Sequence, residues 1–193
     1  QLEALNLQPG DVPADFAANR QVRTYRLEEI VAQLRQAAPE MADRLNRIAN
    51  IYGWQRSVGV EYRLACQPGS PPSIPIVSIE SEIAQLVSPD AARAFVDNPE
   101  LRSLMTDLGY TLTPSKTLHG WIRQSPAETP ACFAREIAHS LEFEYWGLWI
   151  SLTMRANADT DPAMVEGFLY QLAPVIVARV DQLAGAPFPA TPT

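Results

Sequence analysis

The segment from Cys132 to Arg155 most constrains the fold, because its hydrophobic pattern changes phase partway through. Up to Tyr145 the apolar side chains occupy odd positions, whereas from Trp146 they occupy even positions. Side chains of a strand point alternately to its two faces, so one uninterrupted strand would move its apolar side across the sheet here. A turn or a bulge at residues 145–147 removes the conflict, and Gly147 supplies the backbone freedom that either needs. We therefore predict a tight hairpin of two antiparallel strands that share one buried face.

Three further segments alternate apolar and polar residues and are predicted as strands: residues 54–66, 75–87 and 117–123. With the hairpin they form an antiparallel sheet of about five strands. Glutamates recur two residues apart on the polar side of this sheet, as Glu80 and Glu82 and as Glu142 and Glu144. We interpret that side as the solvated outer face. A carboxylate row that holds calcium or supplies an acid and a base is the alternative.

Proline and glycine residues mark the ends of the predicted helices. A proline divides the helical segment 27–53 into two, and Ser88-Pro89-Asp90 and Asn98-Pro99-Glu100 each begin a further helix. The last helix begins at Thr160-Asp161-Pro162 and ends at a glycine, and Pro174 inside it is expected to bend it.

Strands in neighbouring antiparallel runs, with helices between them and at the ends, predict an α+β domain. The N- and C-terminal helices are expected to pack on the apolar side of the sheet. The opening residues 5–16 are predicted to be extended, with Leu5, Leu7, Val12 and Phe16 as docking residues. We place a single domain at residues 1–185 and a disordered Pro/Thr-rich tail at 186–193.

Composition and charge exclude several classes of partner. The 193 residues carry a net charge of −7, with a single lysine and no basic cluster. Nucleic acid and anionic lipid both require a concentrated positive surface, so neither is expected as a partner. No apolar run approaches the roughly 20 residues of a membrane-spanning helix, so no transmembrane segment is expected. The oligomeric state is left open.

The two cysteines, Cys66 and Cys132, each lie at the edge of a predicted strand beside a proline-containing loop. In an exported protein, an even pair placed in this way predicts a disulfide. Two buried free thiols are the alternative.

The order of the parts resembles a known group of domains. The opening reads LQPGDVPADF (Leu7–Phe16), and a helix leads to the strand start GWQRSVGVEYRL (Gly53–Leu64). A strand then runs into a Ser-Pro-Asp-Ala-Ala helix (Val77–Phe95), and the last helix carries Leu-Ala and, after five intervening residues, Arg (Leu172–Arg179). The chain thus resembles poorly characterised exported or lipid-anchored bacterial domains. These are similar in outline to extracytoplasmic sensor domains of bacterial Ser/Thr kinases and, more distantly, to PsbP-type extrinsic photosystem proteins. The resemblance implies a secreted or lipid-anchored location and a binding or assembly role, and it supplies no catalytic residues.

No pattern in the sequence indicates a catalytic or metal site. His119 and His139 are the only histidines, and neither has a spacing typical of zinc ligands. The chain has no nucleophile elbow, no P-loop and no dinucleotide fingerprint. We expect no enzyme activity, no metal and no cofactor. A hydrolase or metal enzyme that uses a histidine or the glutamates stays open as an alternative.

Aromatic residues near the predicted hairpin suggest a binding surface: Trp121, Tyr145, Trp146 and Trp149. Aromatic rings with a polar edge, placed at strand ends, are typical of interfaces. Core packing is the alternative, because Trp146 and Trp149 fall on opposite faces of a regular strand.

We therefore predict an exported, non-catalytic domain that binds a protein partner through these aromatic residues. It would act as a lipoprotein or as an extrinsic subunit of a membrane complex. A second interpretation is a carrier of a small apolar ligand, held between the sheet and the C-terminal helix. A bend at Pro174 would open room for such a ligand.

Overall fold

The structure is a computed structural model that describes residues 2–66, 72–127 and 132–184. Within them, seven antiparallel strands form one sheet in the order β1-β2-β3-β7-β6-β5-β4. The strands are β1 (Arg20–Tyr25), β2 (Arg56–Arg63), β3 (Ile76–Gln85), β4 (Thr111–Pro114), β5 (Gly120–Gln124), β6 (Glu136–Tyr145) and β7 (Leu148–Asn157). The α+β class and the antiparallel sheet are confirmed. The expectation of about five strands missed β1 and β4, because these edge strands are largely exposed and lack an alternating apolar side.

Two short helices and a 3-10 turn open the chain, and five longer helices follow. They are α1 (Leu2–Leu5), the 3-10 turn (Pro9–Asp11), α2 (Ala14–Ala17), α3 (Leu27–Ala37), α4 (Pro39–Ile51), α5 (Pro89–Val96), α6 (Pro99–Asp107) and α7 (Pro162–Ala184). The prediction that residues 5–16 are extended was therefore wrong, although the four residues predicted to dock are all buried. The predicted N-caps are confirmed. Ser88 Oγ accepts a hydrogen bond from the Ala91 amide at 3.1 Å, and Asn98 Oδ1 accepts one from the Leu101 amide at 2.8 Å.

The predicted hairpin is confirmed as β6 and β7. Tyr145 pairs with Leu148 at its closed end, and Trp146 and Gly147 have φ angles of 52° and 77°. Two successive residues in the left-handed region are the geometry of the tight turns that suit the twist of a hairpin. The two strands do not share a single buried face, however, because both sides of this hairpin are largely buried.

Each face of the sheet is covered by its own set of helices. On the side that we call the terminal-helix face, α1, α2 and α7 pack on an apolar core that includes Tyr62, Phe143 and Ile150. On the opposite side, the middle-helix face, residues of α4, α5 and α6 pack on Trp121 and Trp149. The interpretation of this second side as a solvated outer face was therefore wrong. Antiparallel sheets often leave one side to solvent, but here the helices between β1 and β4 fold over it.

Helix α7 runs without interruption through Pro174 and presents one apolar side to the sheet. The buried residues on that side are Val165, Leu169, Ala173, Ile176 and Val180. By length and composition alone, Pro162–Leu183 could cross a membrane, with a mean hydropathy of 1.3 and 28% of its most apolar window buried. This corrects the expectation that no segment reaches such a length and hydropathy. In this fold the buried side of the helix belongs to the core.

Candidate functional site

A cavity of about 180 Å³ lies between the middle-helix face and helices α3 to α6. Its helical wall is apolar and comes from every helix of that layer, with Leu27, Ile30, Leu45, Phe95, Leu101 and Met105 among its residues. Its sheet side carries polar groups from three different strands: Glu82 of β3, Arg123 of β5 and Glu142 of β6. We call it the middle-helix cavity. A mostly apolar pocket with a few convergent polar groups is the usual form of a small-molecule site.

Three aromatic rings line the end of this cavity near the hairpin turn. The Trp54 centroid lies 5.4 Å from that of Trp149 and 5.5 Å from that of Phe95, and the Phe95 and Trp149 centroids are 6.5 Å apart. Trp54 precedes β2, Phe95 lies on α5 and Trp149 on β7, so three distant parts of the chain build this wall. Edge-to-face and tilted contacts hold the rings in fixed positions.

Glu142 is buried and is paired with a cation. The Arg123 Nη2 atom lies 2.9 Å from Glu142 Oε1, and the Trp121 Nε1–H donates a hydrogen bond to Glu142 Oε2 at 3.1 Å. The Arg123 guanidinium is held on two further sides, by the Tyr110 ring at 4.8 Å and by Met105 Sδ at 3.6 Å. These two charges therefore largely neutralise each other.

Glu82 has no such cation. Its Oε1 accepts a hydrogen bond from Ser57 Oγ at 2.5 Å, and within the described ranges no Arg or Lys forms an ion pair with it. The pKa of Glu82 is raised from 4.5 to about 7, mainly by burial and in smaller part by the negative charges of Glu80 and Glu142. The Ser57 hydrogen bond and Arg123 act in the opposite direction. Glu82 thus lines the cavity and has no cationic partner among the described residues.

The strand register explains how these groups meet. Glu82 lies opposite Ser151 on β7, and Ser151 lies opposite Glu142 on β6, so both glutamates belong to one row across the sheet. Two strand spacings, roughly 10 Å, separate their backbones. Thus the period-two glutamates noted in the sequence do share a face, but that face is enclosed.

The adjacent row of the sheet is also acidic. Glu80 lies opposite Glu61 in the pairing of β3 with β2. Glu61 is paired with Arg63 at 2.7 Å and with Arg23 at 3.5 Å, whereas Glu80 accepts a hydrogen bond from Tyr25 Oη at 3.4 Å. Burial raises the pKa of Glu80, and Glu61 adds to the effect. Across the described residues, no three His, Cys, Asp or Glu side chains form a group that could hold a metal ion.

The four aromatic residues that were predicted to bind a partner do not form one continuous surface. Trp121 and Trp149 are buried under the middle helices, and Trp149 lines the cavity. Tyr145 is on the terminal-helix side, where its Oη donates a hydrogen bond to Asp181 at 2.8 Å, and Trp146 is 63% exposed in the turn. The strand alternation separates Tyr145 from Trp149, and the helices that cover the second face remove Trp121 and Trp149 from solvent. Partner binding itself stays a prediction.

Trp146 has two other exposed apolar residues near it in the fold. Gly147 packs against Pro89, and Gly53 packs against Val87, so the turn, the β3–α5 connection and the α4–β2 connection lie side by side. Ile51, Val87 and Trp146 are 65%, 64% and 63% exposed, and we call them the turn-end patch. The strand predicted over residues 75–87 ends at Gln85 in the structure, so Val87 lies outside its alternation.

The histidines and cysteines lie away from the cavity wall. His119 Nε2 is 3.1 Å from Asp97 Oδ1, and burial lowers the pKa of His139 on β6. The predicted disulfide is confirmed: Cys66 and Cys132 are bonded, with a Cα–Cα distance of 5.6 Å across 66 positions of sequence. It joins the segment after β2 to the segment before β6, two strands that are not neighbours in the sheet.

The fold of this chain is similar to that of a solved protein structure. No family model matches the chain, and no curated protein matches it. The chain is similar to the crystal structure of the extracellular domain of PknH from Mycobacterium tuberculosis, at 13% identity and a TM-score of 0.47, over 94% of this chain and 95% of that one. That domain belongs to the class of kinase sensor domains that the sequence resembles. We take neither a ligand nor a partner from it.

Proposed function

We propose that this chain is a non-catalytic, extracytoplasmic domain that binds a small, mainly apolar ligand in the middle-helix cavity. The observation that carries the proposal is the cavity itself, which is lined both by three aromatic rings and by three charged side chains of the sheet. Its volume of about 180 Å³ exceeds the roughly 150 Å³ of an engineered apolar cavity that binds benzene. The ligand is therefore of the size of a substituted single ring.

The ligand site differs from the one expected from the sequence, which lay between the sheet and α7. The side chains of α7 that face the sheet are fully buried there, whereas the cavity is on the other face. The disulfide supports an extracytoplasmic location, because such bonds persist mainly in oxidising compartments.

A cavity-filling variant tests the ligand site. Ala49 is fully buried and lines the cavity, so Ala49→Leu adds three carbons to its wall. We expect the wild-type protein to bind small aromatic compounds, detected through the fluorescence of Trp54 and Trp149, and the variant to lose at least about tenfold in affinity. Ala163→Leu, at an exposed position of α7, is the control. Unchanged binding in a folded Ala49→Leu protein would place the ligand elsewhere.

The turn-end patch favours a second function, docking of a protein partner. Three large apolar side chains that are each more than 60% exposed, at the hairpin turn, at the β3–α5 connection and at the end of α4, suit the centre of a small interface. In this second proposal, the membrane-complex partner predicted from the sequence docks on the turn-end patch. Trp146→Ala should abolish capture of such a partner from a membrane extract and leave stability unchanged. Phe168→Ala, an exposed aromatic position on α7, should leave capture intact.

A further inference from the structure

We propose that the ligand of the middle-helix cavity carries one positively charged nitrogen beside its aromatic or apolar body, and that this nitrogen pairs with Glu82. The inference rests on the proposed function and adds the chemical class of the ligand. Three observations support it: Glu82 has no cationic partner among the described residues, Arg123 is already paired with Glu142, and aromatic rings line the cavity.

The charges that line the cavity do not balance. Glu142 and Arg123 form a pair at 2.9 Å, so they contribute little net charge. Glu82 remains, and its only hydrogen-bond donor in the described part of the chain is the neutral hydroxyl of Ser57. A carboxylate in surroundings of low polarity is stabilised most by a cation or a strong donor placed against its free oxygen. Because none of the described residues supplies one, a ligand cation is the complementary partner.

An anionic ligand fits this site less well. Among the described residues, Arg123 is the one cation that lines the cavity, and it is engaged by Glu142, by the Tyr110 ring and by Met105. A ligand carboxylate would have to displace Glu142 from it and would also face the unpaired Glu82. Like charges in such a setting repel, so the same geometry that favours an amine disfavours an acid.

The aromatic wall supports the same assignment. Trp54, Phe95 and Trp149 lie next to the acidic side of the cavity, and the faces of aromatic rings attract ammonium groups. Indole rings are the strongest of these partners, and two of the three rings are indoles. A ring on the ligand packs against the apolar wall from α3 to α6, while its ammonium meets Glu82.

Three probes of nearly equal size separate charge from shape: 2-phenylethylamine, 2-phenylethanol and phenylacetate. Each is titrated into the whole protein at pH 8, where both the amine and Glu82 are charged, and binding is followed by tryptophan fluorescence and calorimetry. A charge-assisted hydrogen bond of about 1.5–3 kcal/mol corresponds to roughly a tenfold to hundredfold gain in affinity. We therefore expect the amine to bind at least about tenfold more tightly than the alcohol, and phenylacetate to bind most weakly.

Two variants assign the effect to Glu82. Glu82→Gln should reduce the advantage of the amine over the alcohol to less than about threefold. Glu80→Gln is the matched control, because Glu80 lies two residues away on the same face but does not line the cavity. It should keep most of the advantage.

The outcomes distinguish the two proposals. Equal binding of all three probes, or tighter binding of phenylacetate, overturns the amine assignment and leaves the cavity as a ligand site. An equal loss in both variants overturns the contact with Glu82, because the attraction would then come from the general field of the acidic face. If none of the probes binds, and Ala49→Leu behaves as wild type, both this inference and the proposed ligand site are wrong.

Discussion

Replacement of Glu82 by glutamine tests how strongly the fold withdraws this carboxylate from water. In the native state burial raises the pKa of Glu82 from 4.5 to about 7. The folded protein therefore binds this proton more tightly than the unfolded chain does. Its contribution to stability is complete below pH 4.5 and is lost as the pH rises to about 7. Glutamine at this position does not titrate, so the variant lacks this dependence.

The pKa sets the size of the effect. A rise from 4.5 to about 7 corresponds to at most about 3–4 kcal/mol, at 1.36 kcal/mol for each tenfold change in proton affinity. Because Glu82 is not fully withdrawn from solvent, we expect the measured change to lie between about 1 and 3 kcal/mol. The Glu82→Gln protein should gain this amount over wild type between pH 4.5 and pH 7.5.

The assay is urea unfolding followed by tryptophan fluorescence, repeated across this pH range for both proteins. Two other groups, Glu80 and His139, also change the stability with pH, and their effects have opposite signs. Burial raises the pKa of Glu80, which lowers stability as the pH rises, and burial lowers the pKa of His139, which lowers stability as the pH falls through 6.5. The difference between variant and wild type at each pH removes most of both contributions.

Glu40→Gln, at an exposed position of α4, is the control for the loss of one negative charge. A difference between Glu82→Gln and wild type that does not change with pH would refute the reasoning. It would mean that water reaches the Glu82 carboxylate freely in the native state. The low-polarity site on which the amine assignment depends would then not exist.

Three further changes test the fold. Replacing both Cys66 and Cys132 by alanine should lower the free energy of unfolding in urea by about 4 kcal/mol, because the bond closes a loop with a sequence separation of 66. Gly147→Ala should cost about 2 kcal/mol or more and lower the melting temperature in calorimetry, since Gly147 has a φ of 77° and a β-carbon there would lie 2.9 Å from the Cα of Pro89. Leu169→Ala should cost about 2–5 kcal/mol in the same urea assay, because Leu169 is fully buried between α7 and the sheet. A loss below about 1 kcal/mol would show that α7 packs loosely.

The features that the sequence determined on its own are local ones. The phase change at Tyr145 and Trp146 predicts a hairpin because the period of a strand depends only on the positions of neighbouring residues. The Ser88 and Asn98 caps are read from three or four consecutive residues. The disulfide also followed from local context, since each cysteine lies at a strand edge next to a proline-containing loop.

The tertiary structure alone decided which surfaces are enclosed. Alternation places Glu82, Glu142 and Trp149 on one side of the sheet but does not say whether water or a helix covers that side. The answer came from α3 to α6, which fold over the middle of the sheet and turn an expected solvated face into a second core with a cavity. The edge strands β1 and β4 were hidden for a related reason, because a strand with little burial leaves no apolar pattern.

The cavity had no sequence signal, because its wall comes from α3 to α6 and from separate strands, and no two of those elements carry a shared motif. Only the packing of these elements brings an unpaired carboxylate and three aromatic rings together. Which residues alternate is a property of the chain, whereas which of the two sides of the sheet encloses the cavity depends on contacts between residues far apart in sequence.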